Sequence, residues 1–176
     1  MSKLIILRGN SWSGKTSLSK LLQKSLGRGT LVVSQDAVRR EMLWVRDEPD
    51  TSAVPLLISL LEYGRRNCQA VILEGILNSK WYTPVFEEAV RLFGADIHAY
   101  YYDLTFEETL RRHQTRAKKS EFGEQEMRQW FMPRDFMGVI PERIITADCS
   151  LDRALSLILS DLGVRNLNQA GGPCSR

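Results

Sequence analysis

Cysteine and histidine are scarce in this chain. Its 176 residues include three cysteines, Cys68, Cys149 and Cys174, and two histidines, His98 and His113. The cysteines are far apart and odd in number, and no C-x-x-C occurs. That argues against a disulfide framework or a structural zinc site. A reducing cytoplasm is the expected home. Two histidines leave little room for a histidine-based nucleophile mechanism. No apolar run approaches the roughly 18 residues of a membrane span. The chain enters a strand-like run almost at once, so no signal peptide is expected. Charge of one sign is also missing in bulk. The formal net charge is +3 and no dense basic stripe or tail for nucleic acid is present. At 43% hydrophobic and 26% charged residues the composition is that of a folded globular protein rather than a disordered one. No repeat or low-complexity linker interrupts it. One domain is expected over residues 1–165, followed by a frayed tail over 166–176 that holds Gly171-Gly172-Pro173.

Against these absences stands one dense motif. Gly9-Asn10-Ser11-Trp12-Ser13-Gly14-Lys15-Thr16 fits G-x-x-x-x-G-K-[ST], the Walker A or P-loop pattern. The spacing has a chemical reason. Glycines at both ends let the backbone turn so that successive N–H groups point at one anion. Lys15 is a point charge that reaches β- and γ-phosphates, and the Thr16 hydroxyl is a ligand for Mg²⁺. The apolar run Leu4-Ile5-Ile6-Leu7 precedes the motif and reads as a buried strand. A leucine pattern at helical spacing follows it over Ser17 to Leu26. Strand, loop and helix N-terminus together make an anion site.

Beyond the motif, strand-like runs alternate with helical patterns. Strands are expected at Leu31-Val32-Val33, Val71-Ile72-Leu73, Ile97 to Tyr102 and Ile144-Ile145. Helices are expected at Asp36 to Trp44, after an Asp50-Thr51-Ser52 cap, at Thr83 to Phe93, Thr105 to about Ala117, Glu124 to Phe131 and from Leu151 to Leu162. This alternation predicts an α/β fold with a parallel sheet and helices on both faces. Ligands then bind at the carboxyl ends of the strands, which makes each strand's last residue a candidate.

Two acids satisfy that rule. Asp36 follows the second strand, where a carboxylate would meet the proton of an attacking hydroxyl. An N-cap role would also account for it. Arg39 lies one turn on and would steady an anionic substrate or orient Asp36. Glu74 ends the third strand in a position like Walker B. It would hold Mg²⁺ with Thr16, or bind a substrate hydroxyl. Further on, Glu107–Arg111 and Glu108–Arg112 are ordinary i,i+4 pairs. Arg112 and Arg116 are of like sign at the same spacing, which an anion between them would relieve. With Lys118, Lys119 and Arg128 nearby, a helical lid over about residues 116–135 is expected to lower cations onto ATP. Trp12 interrupts the loop motif and would cover the phosphates or touch the acceptor. Trp44, Trp81, Tyr82, Trp130 and Phe131 are candidates for an acceptor pocket, although packing accounts for such residues as well. No role is assigned to His98 or His113.

These motifs resemble those of the small P-loop kinases in the nucleoside/nucleotide kinase superfamily. Ser34-Gln35-Asp36-Ala37-Val38-Arg39 is similar to the S-x-D-x-x-R element of polynucleotide kinases and zeta-toxin-like kinases. Arg112-His113-Gln114-Thr115-Arg116 is similar to their R-x-x-x-R lid element. Glu74-Gly75-Ile76-Leu77 is similar to an E-G-I element of uridine kinases. The resemblance implies a five-stranded sheet in the order 2-3-1-4-5 and an adenine site near Thr146 to Ser150. It implies a kinase using ATP and Mg²⁺, with a small-molecule hydroxyl as acceptor: a nucleoside, an antibiotic or a nucleotide sugar. In that reading Gly9 to Thr16 bind nucleotide, and Lys15, Asp36, Arg112 and Arg116 carry catalysis. Arg39 and Glu74 meet the acceptor, which is expected among the helices between Ala37 and Arg65. Two other readings stay open: a 5′-hydroxyl kinase acting on nucleic acid, and a nucleotide-binding switch or regulatory ATPase.

Overall fold

Every second residue of a strand faces the same side of its sheet, and the first strand shows this cleanly. In the computed structural model, which describes residues 2–114 and 124–164, Leu4 to Leu7 are fully buried on β1 (Lys3–Gly9). Leu4 and Ile6 face one core with Val33, Val71 and Leu73, while Ile5 and Leu7 face a second with Ile72 and Tyr100. An apolar run buried on both faces is the signature of a parallel strand between two helical layers.

The remaining strands are β2 (Thr30–Ser34), β3 (Ala70–Gly75), β4 (Ile97–Tyr102) and β5 (Glu142–Ile145). All pairings are parallel and the order is β2-β3-β1-β4-β5, as the resemblance implies. Of the helices, α1 (Lys15–Leu26) and α6 (Leu151–Asp161) contribute Leu18, Leu22 and Ile158 to the second core. The first core receives Leu57 and Leu61 from α2 (Ala53–Asn67) and Val85 and Phe86 from α3 (Thr83–Phe93). Each buried leucine or phenylalanine contributes about 1.5–3 kcal/mol. Beyond β4 come α4 (Phe106–Gln114) and α5 (Glu124–Trp130). Among the described residues no helix is long and apolar enough to cross a membrane. Arg116, Lys118, Lys119 and the tail over 166–176 lie outside the described residues.

Two local expectations are corrected. The stretch expected as a helix from Asp36 to Trp44 is a wide π-type turn over Ala37–Met42, in which the Leu43 N–H donates to the Val38 carbonyl at 3.0 Å. Trp44 leaves it with a φ of +52°, a conformation no regular helix contains. Arg111 pairs with Glu108 rather than Glu107, so Glu108 serves both Arg111 and Arg112, at 2.8 and 2.6 Å.

One charged residue of the sheet is sealed off from solvent altogether. Arg8, on β1 between Leu7 and Gly9, has no exposed surface. Its Nε and Nη2 donate to the Leu77 carbonyl at 3.0 and 2.6 Å. Its Nη1 donates to both Glu142 oxygens and its Nη2 to Asp135. The guanidinium also lies over the rings of Phe86 and Tyr101. It thereby joins the strand that leads into the P-loop to the loop after β3 and to the segment before β5. Deleting one side of a buried ion pair strands the other charge, at a cost of about 3–5 kcal/mol. Urea unfolding of Arg8→Met is expected to show a loss of about that size. A loss under about 1 kcal/mol would mean that Glu142 and Asp135 find other partners at no cost.

Candidate active site

β1 ends at Gly9, whose φ is +137°. A Cβ there would lie 2.9 Å from both Cβ and O of Tyr102 on β4, so no other residue lets the chain leave the sheet at this point. Gly14, at φ +104°, turns the chain again into α1. Trp12, between them, takes φ +61°, a conformation uncommon for a bulky residue. Ser11 to Thr16 line a cavity of about 600 Å³. The first turn of a helix directs N–H groups into such a space.

Lys15 is 6% exposed. Its ammonium donates to the Asn10 carbonyl at 2.7 Å and to Ser13 Oγ at 3.0 Å, both in its own loop. Burial lowers its pKa to about 8 against the pull of Glu74 and Asp36. Thr16 Oγ1 donates to Glu74 Oε2 at 3.2 Å, from α1 across to the end of β3. A hydroxyl and a carboxylate facing one cavity are hard oxygen donors. Mg²⁺ prefers one or two such protein ligands, with water and phosphate oxygens completing its shell. The pair therefore fits that ion.

Asp36 follows β2, and its side chain is 59% exposed. It accepts a hydrogen bond from Arg39 Nη2 at 2.9 Å and lies 3.4 Å from Arg40 Nε. It also lines a second cavity, of about 780 Å³. Ser11, Asp36, Arg40, Ile76 and Trp130 border both cavities. The carboxylate thus stands at the junction between the space beside the P-loop and the space beyond it.

The second cavity is walled by Trp44, Trp81 and Trp130 together with Arg39, Arg46 and Asp47. Of the other aromatic candidates, Tyr82 is fully buried in the first core and Phe131 packs its ring on Phe106 at 5.5 Å. Within the stretch from Ala37 to Arg65 expected to hold the acceptor, the wall comes from Arg39 to Asp47, and α2 contributes nothing to it. Leu57, Leu61 and Gly64 of α2 are buried, and the far wall comes from the loop after β3 and from residues 129–132.

On the opposite side, Arg112 Nη1 donates to the Ser13 carbonyl at 2.9 Å and Nη2 to the Ala147 carbonyl at 3.3 Å. It therefore straps the P-loop to the turn after β5. The Trp12 ring meets the His113 ring edge-on at 4.4 Å, so Trp12 leans on α4, away from the second cavity. Arg116 lies outside the described residues. The Asn10 side chain makes a reciprocal pair with Met132: it donates to the carbonyl and accepts from the N–H, both at 2.8 Å.

Asp47, Gln35, Arg8 and Asn10's tie to Met132 are the features of this region that spacing rules did not single out. Gln35 left a trace inside the Ser34-to-Arg39 element, and Asn10 was visible as part of the P-loop although its partner was not.

Sheet order and the glycine-bounded loop after the first strand go together: the chain has the fold of solved P-loop kinase structures. It is similar to a gluconokinase from Sinorhizobium meliloti 1021, with a TM-score of 0.64 and 14% identity, over 92% of this chain and 91% of that one. The APS kinase CysC of Mycobacterium tuberculosis, in complex with AMPPNP and APS, matches at TM-score 0.61 and 19% identity, over 92% and 98% of the chains. The Deinococcus radiodurans tunicamycin resistance protein matches at TM-score 0.63 and 16% identity, over 94% and 98%. No protein-family model matches the chain, and no curated protein matches it in sequence.

The lowered pKa of Lys15 has a measurable consequence. Above pH about 8 the folded chain has released this proton, while the unfolded chain holds it up to its ordinary 10.5. This group's contribution to stability therefore rises with pH across that window. A triphosphate beside the amine reverses the shift. At pH 9, binding of a non-hydrolysable ATP analogue is expected to take up close to about one proton, measured by calorimetry in two buffers of different ionisation enthalpy. Lys15→Arg, which keeps its charge, is expected to abolish the uptake. Uptake that persists in Lys15→Arg would assign the proton elsewhere.

Proposed function

We propose that this protein is an ATP- and Mg²⁺-dependent kinase that phosphorylates a hydroxyl of a small molecule, a nucleoside or a nucleoside-like compound. The observation that carries the reading is the position of Asp36, whose carboxylate borders both the P-loop cavity and the aromatic cavity. A general base for phosphoryl transfer needs that place: one side toward the terminal phosphate, the other toward the incoming hydroxyl. Similarity to structures named gluconokinase, APS kinase and shikimate kinase supports a small acceptor. So does a cavity of about 780 Å³ walled by three tryptophans, within the size range of small-molecule sites.

In this mechanism the loop from Gly9 to Thr16 holds the phosphates and fixes their position. Lys15 exchanges its bonds to Asn10 and Ser13 for β- and γ-phosphate oxygens. Thr16 and Glu74 would hold Mg²⁺, which when bound would supply positive charge against the phosphates. Asp36 accepts the acceptor's proton, oriented by Arg39. Arg112, already against the P-loop, and Arg116 neutralise charge on the transferring group. The turn from Thr146 to Ser150 borders the adenine.

Labelled ATP offered to nucleosides, oligonucleotides and hydroxylated antibiotics is expected to label a small compound. Asp36→Asn is expected to cut kcat by about 10²–10⁴-fold while ATP still binds. Transfer at the wild-type rate in that variant would remove Asp36 as the base. Labelled oligonucleotide with steep salt dependence would favour a nucleic-acid kinase. ATP hydrolysis indifferent to Asp36→Asn, with no labelled acceptor, would favour a switch.

A further inference from the structure

Asp47 belongs to none of the kinase-like motifs, yet its side chain is the more tightly held of the two acids in the aromatic cavity. Tyr82 Oη donates to its Oδ1 at 2.6 Å. Gln35 Nε2 donates to Oδ1 and Oδ2 at 3.2 and 3.1 Å. Gln35 is itself fixed, since its Oε1 accepts the Leu77 N–H at 2.9 Å. Gly75 makes the room: a Cβ there would lie 2.6 Å from the Cβ of Gln35. Burial and the Asp47 carboxylate push the Tyr82 phenol up, so Tyr82 remains a donor at neutral pH.

Two features of this cluster point to a ligand. The first is its hydrogen-bonding capacity. A carboxylate has about four acceptor positions. Tyr82 and Gln35 fill three at most, which leaves one on Oδ2. The second is its charge. Asp36 is paired with Arg39, whereas among the described residues no ion pair to Asp47 is seen. Neutral donors fix Asp47, on a wall of the cavity it shares with Trp44, Trp81 and Trp130 and with Arg39, Arg40 and Arg46. Indole rings are suited to contact with a planar ring. A fixed carboxylate favours a ring edge that donates hydrogen bonds and disfavours one that presents carbonyl oxygens.

We infer that Asp47 recognises the acceptor, and that the acceptor is a nucleoside whose base carries an amino group facing Asp47 while its sugar hydroxyl faces Asp36. The inference rests on the kinase reading for its chemistry but not for its binding. Gln35 and Tyr82 are positioning residues, because they act through Asp47.

The test uses nucleosides that differ at one amino group: cytidine against uridine, adenosine against purine riboside, guanosine against inosine. Phosphate transfer from ATP and quenching of tryptophan fluorescence without ATP are both measured. The amino-bearing member of the best-used pair is expected to lead by about 10- to 100-fold in kcat/KM, and to bind more tightly in the quenching titration. Asp47→Asn is expected to erase that preference by raising the acceptor KM far more than it lowers kcat, with the KM for ATP unmoved. Tyr82→Phe is expected to move the same quantities in the same direction by less. An unchanged preference in Asp47→Asn, with transfer intact, would overturn the inference. So would transfer to a hydroxylated antibiotic or sugar with no nucleoside used or bound. Amino-dependent binding that Asp47→Asn removes, with no phosphate transferred to any compound, would uphold Asp47 and overturn the kinase.

Discussion

A lysine that is 6% exposed, whose ammonium has a carbonyl and a hydroxyl of its own loop as hydrogen-bond partners among the described residues, is a costly thing for a small protein to keep. Lys15 is that residue, and the architecture around the P-loop turns on it. Burial lowers its pKa to about 8, while the carboxylates of Glu74 and Asp36 work against that fall. A triphosphate supplies the negative charge the site lacks at close range. The unfavourable solvation of Lys15 would thus become affinity for an anion, and the acids that partly hold its charge are the ones to which the proposed phosphoryl transfer gives roles.

The rest of the scaffold fixes that loop in place. Arg8 locks the strand before it to Leu77, Asp135 and Glu142, so the loop after β3 and the segment before β5 share one buried cation. Asn10 reaches Met132 and Arg112 reaches both Ser13 and Ala147. The P-loop is therefore tied to the segment after α5 and to the turn after β5 by hydrogen bonds at two separate residues.

How much of this was legible in the sequence follows from the range of each interaction. The P-loop obeys a local spacing rule, so eight consecutive residues display it. β1, β3 and β4 are short apolar runs, and α3 was placed at its observed bounds of Thr83–Phe93 by its apolar periodicity. Asp36 and Glu74 were found because ligands gather at strand ends, a rule of the fold rather than of the residue. Arg8 gave no signal. Its partners are 69 to 134 positions away, and an arginine beside a strand end reads as a surface residue. Asp47 was silent for the same reason, since Tyr82 lies 35 positions on. The π-type turn escaped because its composition is that of an ordinary helix. Only the bonds that bypass one residue, and the positive φ of Trp44, distinguish it. The tryptophans were ambiguous by nature. Nothing local separates Trp81, on the cavity wall, from Tyr82 beside it in the core.

The account stands on the geometry between one loop and one acid, and a crystal structure with a non-hydrolysable ATP analogue and Mg²⁺ addresses it directly. The γ-phosphate is expected between the Lys15 ammonium and the junction of the two cavities, with the Asp36 carboxylate one hydroxyl's breadth from the terminal phosphorus. A nucleotide bound with its γ-phosphate elsewhere, or an Asp36 turned out to solvent with no room for a hydroxyl between it and the phosphorus, would contradict the account.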